Sequence, residues 1–176
     1  DKTTFYPEGG GQIGDSGQII IGDNIIQVKN TFKEGGEIIH LTDTLPNDLN
    51  SSVKFKIDKN RRSYIESNHT STHLLNLALR NILGNHVEQR GSMISDKMFR
   101  FDFSHQNKIT DSELISINNF VNEKITESID IIENREEDYD TAIKNGAIGL
   151  FTEKYEDKVR TIKFNDSYEL CGGTHV

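Results

Sequence analysis

Arg61-Arg62-Ser63-Tyr64-Ile65-Glu66-Ser67-Asn68-His69-Thr70-Ser71-Thr72-His73-Leu74-Leu75-Asn76-Leu77-Ala78-Leu79-Arg80-Asn81-Ile82-Leu83 is the longest periodic stretch of the chain. Tyr64, Ile65, Leu74, Leu75, Ala78, Leu79 and Ile82 recur at helical spacing, and Gly84 is placed to end the run, so residues 61–83 are predicted to form a helix. The i, i+4 spacing puts His69 and His73 on one face, a turn apart, where both rings can reach a single ion. A second pair, Cys171-Gly172-Gly173-Thr174-His175, lies about a hundred residues further on. Its two glycines disfavour a helix and allow a tight turn, so Cys171 and His175 would come to the ion from a strand end.

One thiolate and three imidazoles make the mixture of donors that Zn²⁺ prefers. The alternative is two unrelated pairs, with His73 a satisfied interface residue and Cys171 a small buried hydrophobe. That the only cysteine of the chain falls inside the second spacing favours a shared site. Four protein donors would fill a tetrahedral zinc, which is the structural arrangement, whereas a hydrolytic zinc keeps a position for water or substrate. The sequence leaves open whether a ligand is displaced, the coordination expands, or the metal only organises the fold.

Working outward, residues 18–57 are read as short strands with turn punctuation: Gln18 to Ile21, Ile25 to Lys29, Glu37 to Leu41 and Val53 to Ile57, a small antiparallel sheet or barrel. The preceding Thr4-Phe5-Tyr6-Pro7-Glu8-Gly9-Gly10-Gly11-Gln12 is a glycine-rich loop, either a plain flexible turn or a backbone able to approach a phosphate or ribose. With no helix directly behind it, a P-loop or Rossmann reading fails. After the helix come strands around His86 to Met93 and Met98 to His105. The capping box Thr110-Asp111-Ser112-Glu113 opens a second helix reaching about Ser128 and burying Leu114, Ile117, Phe120, Val121 and Ile125. The acidic residues from Glu133 to Asp140 are read as a solvated loop leading into a short helix that ends at Gly146. Strands Val159 to Phe164 and Ser167 to Cys171 then deliver the second pair.

At 176 residues the chain can bury a real core. No apolar run is long enough for a membrane span or a secretory signal, and a lone cysteine points to the cytosol. Starting at Asp1 and stopping after His175, the chain reads as a piece of something longer. The net charge of −8 argues against bulk electrostatic binding of nucleic acid. Between Lys59 and Arg100, however, seven basic residues face three acidic ones, so this segment is +4 inside a remainder of −12. Such a bias suits a local phosphate-facing surface or an ordinary solvated face.

No Glu follows His69, which excludes an H-E-x-x-H protease, and there is no G-x-S-x-G elbow. Two neighbours of the site remain candidates. Thr72 can offer its hydroxyl to a substrate hydroxyl or bond back to the carbonyl of Asn68. Gln89 can orient a water or a ribose hydroxyl, or be an exposed strand residue.

The blocks Thr4 to Gln12 with Gly14-Asp15-Ser16-Gly17, His69 to Leu75, Leu83-Gly84-Asn85-His86-Val87 with Gln89-Arg90-Gly91-Ser92, Arg100 to His105, and Glu169 to His175 together resemble the editing domain of alanyl-tRNA synthetase and its free-standing relatives. The resemblance covers nearly the whole chain. It implies an α+β fold, with a small β-rich, barrel-like subdomain over residues 1–58 and a core over 59–176 of helices packed on an antiparallel sheet, meeting at a zinc cleft. It implies hydrolysis of the ester joining serine or glycine to the terminal adenosine of tRNA(Ala). His69, His73, Cys171 and His175 would hold Zn²⁺, Thr72 would read the serine hydroxyl and Gln89 would line the pocket. The partner would be the charged acceptor end of tRNA(Ala), with other parts of a longer enzyme supplying most phosphate contacts. The editing domain of threonyl-tRNA synthetase also carries both pairs, but the Tyr6 to Gln12 block argues against it. A zinc module that only binds RNA or a protein would have no pocket beside Thr72.

Overall fold

The structure is a computed structural model that describes residues 2–46, 51–149 and 155–176. Among these residues the chain is α+β, with antiparallel sheets and helices, as the resemblance implied. Strands β1 (Gly17–Ile21), β2 (Asn24–Glu34), β3 (Glu37–Thr42) and β4 (Lys54–Ile57) form one antiparallel sheet in the order β3-β2-β1-β4. The sheet curls until its outer strands meet through side chains: His40 of β3 stacks on Phe55 of β4 with ring centroids 5.4 Å apart, and Phe5 packs edge-on against both. It is therefore barrel-like by packing while its strand order remains that of an open sheet.

Helix α1 (Lys59–Leu83) is the organising element. Asp58 caps it by accepting from Arg61 N, and the N–H of Gly84 bonds to Arg80 O at its other end. One stripe, Ala78 and Leu79, packs with Val87 and with Ile117 of α2 (Asp111–Thr126), while Leu74 meets Ile162 and Phe164. Tyr64 is not part of the buried stripe: it is 64% exposed, one position off the fully buried Ile65. In α2 the capping box forms as the sequence predicts. Only the Ile117, Phe120 and Val121 side of α2 faces the core, whereas Leu114 and Ile125 are both 51% exposed.

Strands β5 (Gln89–Ile94) and β6 (Phe99–Phe103) form a hairpin beside α1. The acidic stretch is a second correction. Residues 131–138 form strand β7 (Ile131–Asp138) rather than a loop, paired antiparallel to β8 (Lys158–Phe164), which in turn pairs with β9 (Ser167–Leu170). Nearly every β7 side chain faces water, so the strand carries no apolar alternation, and its state is set by the partner strand. Helix α3 (Tyr139–Lys144) follows, capped by Asp138 and turned at Gly146 with φ 92°. Consequently α1 presents His69 and His73 to the point where the chain leaves β9.

Candidate metal centre

The turn after β9 is held by its backbone. Arg160 of β8 donates to the carbonyls of Cys171 (2.8 Å) and Gly173 (2.6 Å), and its Nε reaches Glu133 at 2.6 Å. That clamp fixes the loop against α1. At Gly173 a Cβ would overlap the His69 ring and stand 2.8 Å from Gln12 Oε1, so only glycine permits this approach.

The result is a cluster of four donor atoms, one each from His69, His73, Cys171 and His175, all within 4.8 Å of one another. Cys171 Sγ lies 3.5 Å from His69 Nε2 and 3.2 Å from His175 Nε2. Tetrahedral zinc bonds of about 2.3 Å to sulfur and 2.0–2.1 Å to nitrogen put such atoms about 3.6 Å apart. The two sulfur–nitrogen distances are close to that spacing, and the donor set has the chemistry that zinc takes. Ring centroids of His175 stand 4.3 Å from His69 and 4.6 Å from His73.

The far ring nitrogens turn towards acceptors. His69 Nδ1 is 2.7 Å from Gln12 Oε1, and His175 Nδ1 is 3.3 Å from Thr70 Oγ1. His73 Nδ1 faces Glu169 Oε2 at 3.6 Å, beyond hydrogen-bond length, and has no hydrogen-bond partner. Burial is the main cause that pushes His69 and His73 down to about 3, and it also lowers His175. All three rings are thus neutral near pH 7, the state in which imidazole can ligate. Glu169 is buried too, which raises its carboxyl to about 7 despite the bond from Asn76 Nδ2 at 2.9 Å.

A cavity of about 700 Å³ opens beside the cluster, lined among others by His69, His73, Cys171, Thr72 and Gln89. This is an ordinary size for a small-ligand pocket. Thr72 makes the back-bond to Asn68 O at 2.8 Å, the second of its two sequence readings, and also lines the cavity. Gln89 stands at the head of β5, half-buried, and lines the same cavity. The glycine-rich loop is not a free turn: Tyr6, Gly9 and Gly10 line the cavity, and Gln12 reaches His69. Gln12 and Arg160 were not singled out from sequence: the partners of Gln12 lie 57 and 162 residues away, and Arg160 acts on backbone carbonyls that residue type does not reveal.

The arginines of residues 59–100 find partners within the molecule, Arg61, Arg62 and Arg80 in part-buried bonds and Arg90 and Arg100 in exposed surface pairs. Arg62 pairs with buried Asp15, Arg61 donates to Gly14 O, Arg80 to Val87 O, and Arg90 and Arg100 pair with Glu88 and Asp102. No helix among the described residues is long and apolar enough to cross a membrane.

Fold and site together define an α+β unit with a three-histidine, one-cysteine donor cluster at the wall of a cleft. A family model described as class II (A) tRNA synthetases matches residues 1–61. Along its full length the chain is similar to alanine–tRNA ligases: 51% identical over 177 residues to that of Christiangramia forsetii, 50% over 178 to that of Cytophaga hutchinsonii, and 51% over 181 to that of Thermoanaerobacter pseudethanolicus. Each alignment takes in 100% of this chain and 20% of the relative. The chain thus spans about a fifth of the length of the curated relatives it matches, and aligns with one region of them.

Proposed function

We propose that this chain is the editing region of an alanyl-tRNA synthetase, a hydrolase that removes serine or glycine wrongly esterified to tRNA(Ala). The observation that carries this reading is the convergence of four metal donors beside a cleft that Thr72 and Gln89 also line. Full-length similarity to alanine–tRNA ligases supports it, and favours the alanine over the threonine system. In this reading residues 1–58 carry the glycine-rich loop to the core formed by 59–176.

His69, His73, Cys171 and His175 would hold Zn²⁺, which when bound polarises an ester carbonyl or activates water. Selectivity belongs to the protein. The Thr72 hydroxyl spends its proton on Asn68 O, so its oxygen is left as an acceptor at the cleft wall. A serine hydroxyl can donate to it, whereas the methyl of correctly attached alanine leaves it without a donor. Gln89 offers an amide that can hold a water or the ribose hydroxyl in line with the ester. Such a second site is needed because an activation pocket sized for alanine rejects glycine and serine only weakly. A purely structural zinc module has no use for a cavity beside Thr72. The acceptor end of tRNA(Ala) enters as the partner, and with most arginines paired internally its grip must come largely from the rest of a longer enzyme.

The test is deacylation of Ser-tRNA(Ala) and Ala-tRNA(Ala) by the purified chain, with and without chelator. Faster, chelator-sensitive release of serine is expected. Equal rates for the two esters would end the reading.

A further inference from the structure

We infer that Gln12 is a positioning residue for the metal centre: it locks His69 in the Nδ1–H tautomer, so that Nε2 is the atom offered to the cation. The inference rests on the donor cluster and is independent of the ester-hydrolysis reading.

The assignment follows from three contacts. Gln12 Oε1 lies 3.0 Å from the backbone N of Thr174, which can only donate, so the atom there is the amide oxygen and not the nitrogen. The amide nitrogen accordingly points to Thr174 Oγ1 at 3.0 Å. The same oxygen is 2.7 Å from His69 Nδ1, and since a carbonyl oxygen only accepts, Nδ1 must carry the proton. Nε2 is then left with its lone pair, on the side where Cys171 Sγ stands 3.5 Å away.

Gln12 is also built to stay in place. It is fully buried, and its neighbours are threaded through the backbone of β5: Ile94 N donates to Gly11 O (2.8 Å) and Ile13 N to Ile94 O (3.0 Å). A Cβ on Gly11 would lie 2.6 Å from the Ser92 carbonyl oxygen, so glycine at 11 is what lets the loop come this close. One side chain thereby ties the first ligand pair to the loop between Cys171 and His175. Acceptors behind a metal-bound imidazole fix ring orientation and raise its basicity, and losing one typically costs 10- to 100-fold in metal affinity.

The test uses the full chain with Gln12→Leu, which removes the acceptor at similar volume, and Gln12→Glu, which keeps it. Zn²⁺ affinity is measured by competition with a chromophoric chelator, and the protonated nitrogen of His69 by ring ¹⁵N NMR, metal-free and zinc-loaded. Wild type should show Nδ1–H. Gln12→Leu should bind zinc about 10- to 100-fold more weakly and lose the tautomer preference. Gln12→Glu should retain both within a few-fold. Zinc affinity unchanged in Gln12→Leu, or Gln12→Glu as weak as Gln12→Leu, overturns the inference. If Gln12→Leu does not fold, a wild-type His69 protonated at Nε2, or bound to zinc through Nδ1, overturns it equally. Failure of the hydrolysis reading would appear separately, as absent deacylation with the tautomer and the affinity intact.

Discussion

Gly172 and Gly173 are adjacent in sequence and opposite in tolerance. A Cβ at Gly172 meets nothing within 4 Å, while one at Gly173 overlaps the His69 ring. Gly173→Ala should therefore force the ring or the loop aside, lowering stability by roughly 1–3 kcal/mol in denaturant titration and weakening zinc binding with it. Gly172→Ala should stay within about 0.5 kcal/mol of wild type. Equal behaviour of the two variants would show that the approach to His69 is not tight. Thr72 makes a prediction of a different kind, about choice and not stability. Thr72→Val keeps the volume and removes the acceptor, so serine release should fall about tenfold, the worth of one buried hydrogen bond of ~1.4 kcal/mol, with alanine release unchanged. An unaltered serine-to-alanine ratio in the deacylation assay would remove Thr72 from substrate reading. At this scale the four donor residues were legible because their chemistry shows in residue type and spacing. Gln12 was not, because a glutamine in a glycine-rich loop acquires its role only from partners 57 and 162 residues away.

Elements were readable where they state their own boundaries. The capping box of α2 is an instance: Glu113 N donates to Thr110 Oγ1 (3.3 Å) while Thr110 N donates to Glu113 Oε2 (2.8 Å). Thr110→Ala should lower unfolding free energy by ~1 kcal/mol, and combining it with Glu113→Ala should cost less than the two losses added, since each removes half of one motif. Strict additivity in a double-mutant cycle would mean the two bonds act independently. By contrast β7 was illegible, because nearly all of its side chains face water and the pairing Ile131↔Phe164 through Asp138↔Lys158 decides its form. The closing of the N-terminal sheet yields a pH prediction. His40 is stacked against Phe55, bonded to Thr3 Oγ1 at 2.9 Å, and held below its ordinary pKa by desolvation. Its unfolded form takes up a proton near pH 6.5 while the folded form resists, so this contribution is fully present above that pH and declines as the pH falls through it. In His40→Phe the fall in thermal stability between pH 7 and 5.5 should be smaller than in wild type. An identical slope would clear His40 of any part in it.

For the whole molecule the decisive fact is that the donors come from opposite ends of the topology. His69 and His73 lie mid-way along α1, Cys171 and His175 beyond β9, and in an unfolded chain nothing holds the two pairs together. A cation that binds this cluster binds the folded state almost exclusively, so its binding energy is added to folding energy. With free zinc at a hundred times its dissociation constant the gain is about 2.7 kcal/mol, and for a chain of this size each kcal/mol moves the melting temperature by about 2–4 °C. Stripping the metal with a chelator, then removing the chelator by dialysis, should therefore lower the melting temperature by roughly 5–11 °C. Adding back zinc should restore it, whereas magnesium, which wants oxygen donors, should not. The same comparison in Cys171→Ser separates a metal effect from a packing one. Its metal-free melting temperature should match that of the metal-free wild type closely, while the zinc-dependent increment shrinks. A melting temperature indifferent to zinc in the wild-type chain would mean that the four donors, close as they are, do not act as one ligand set.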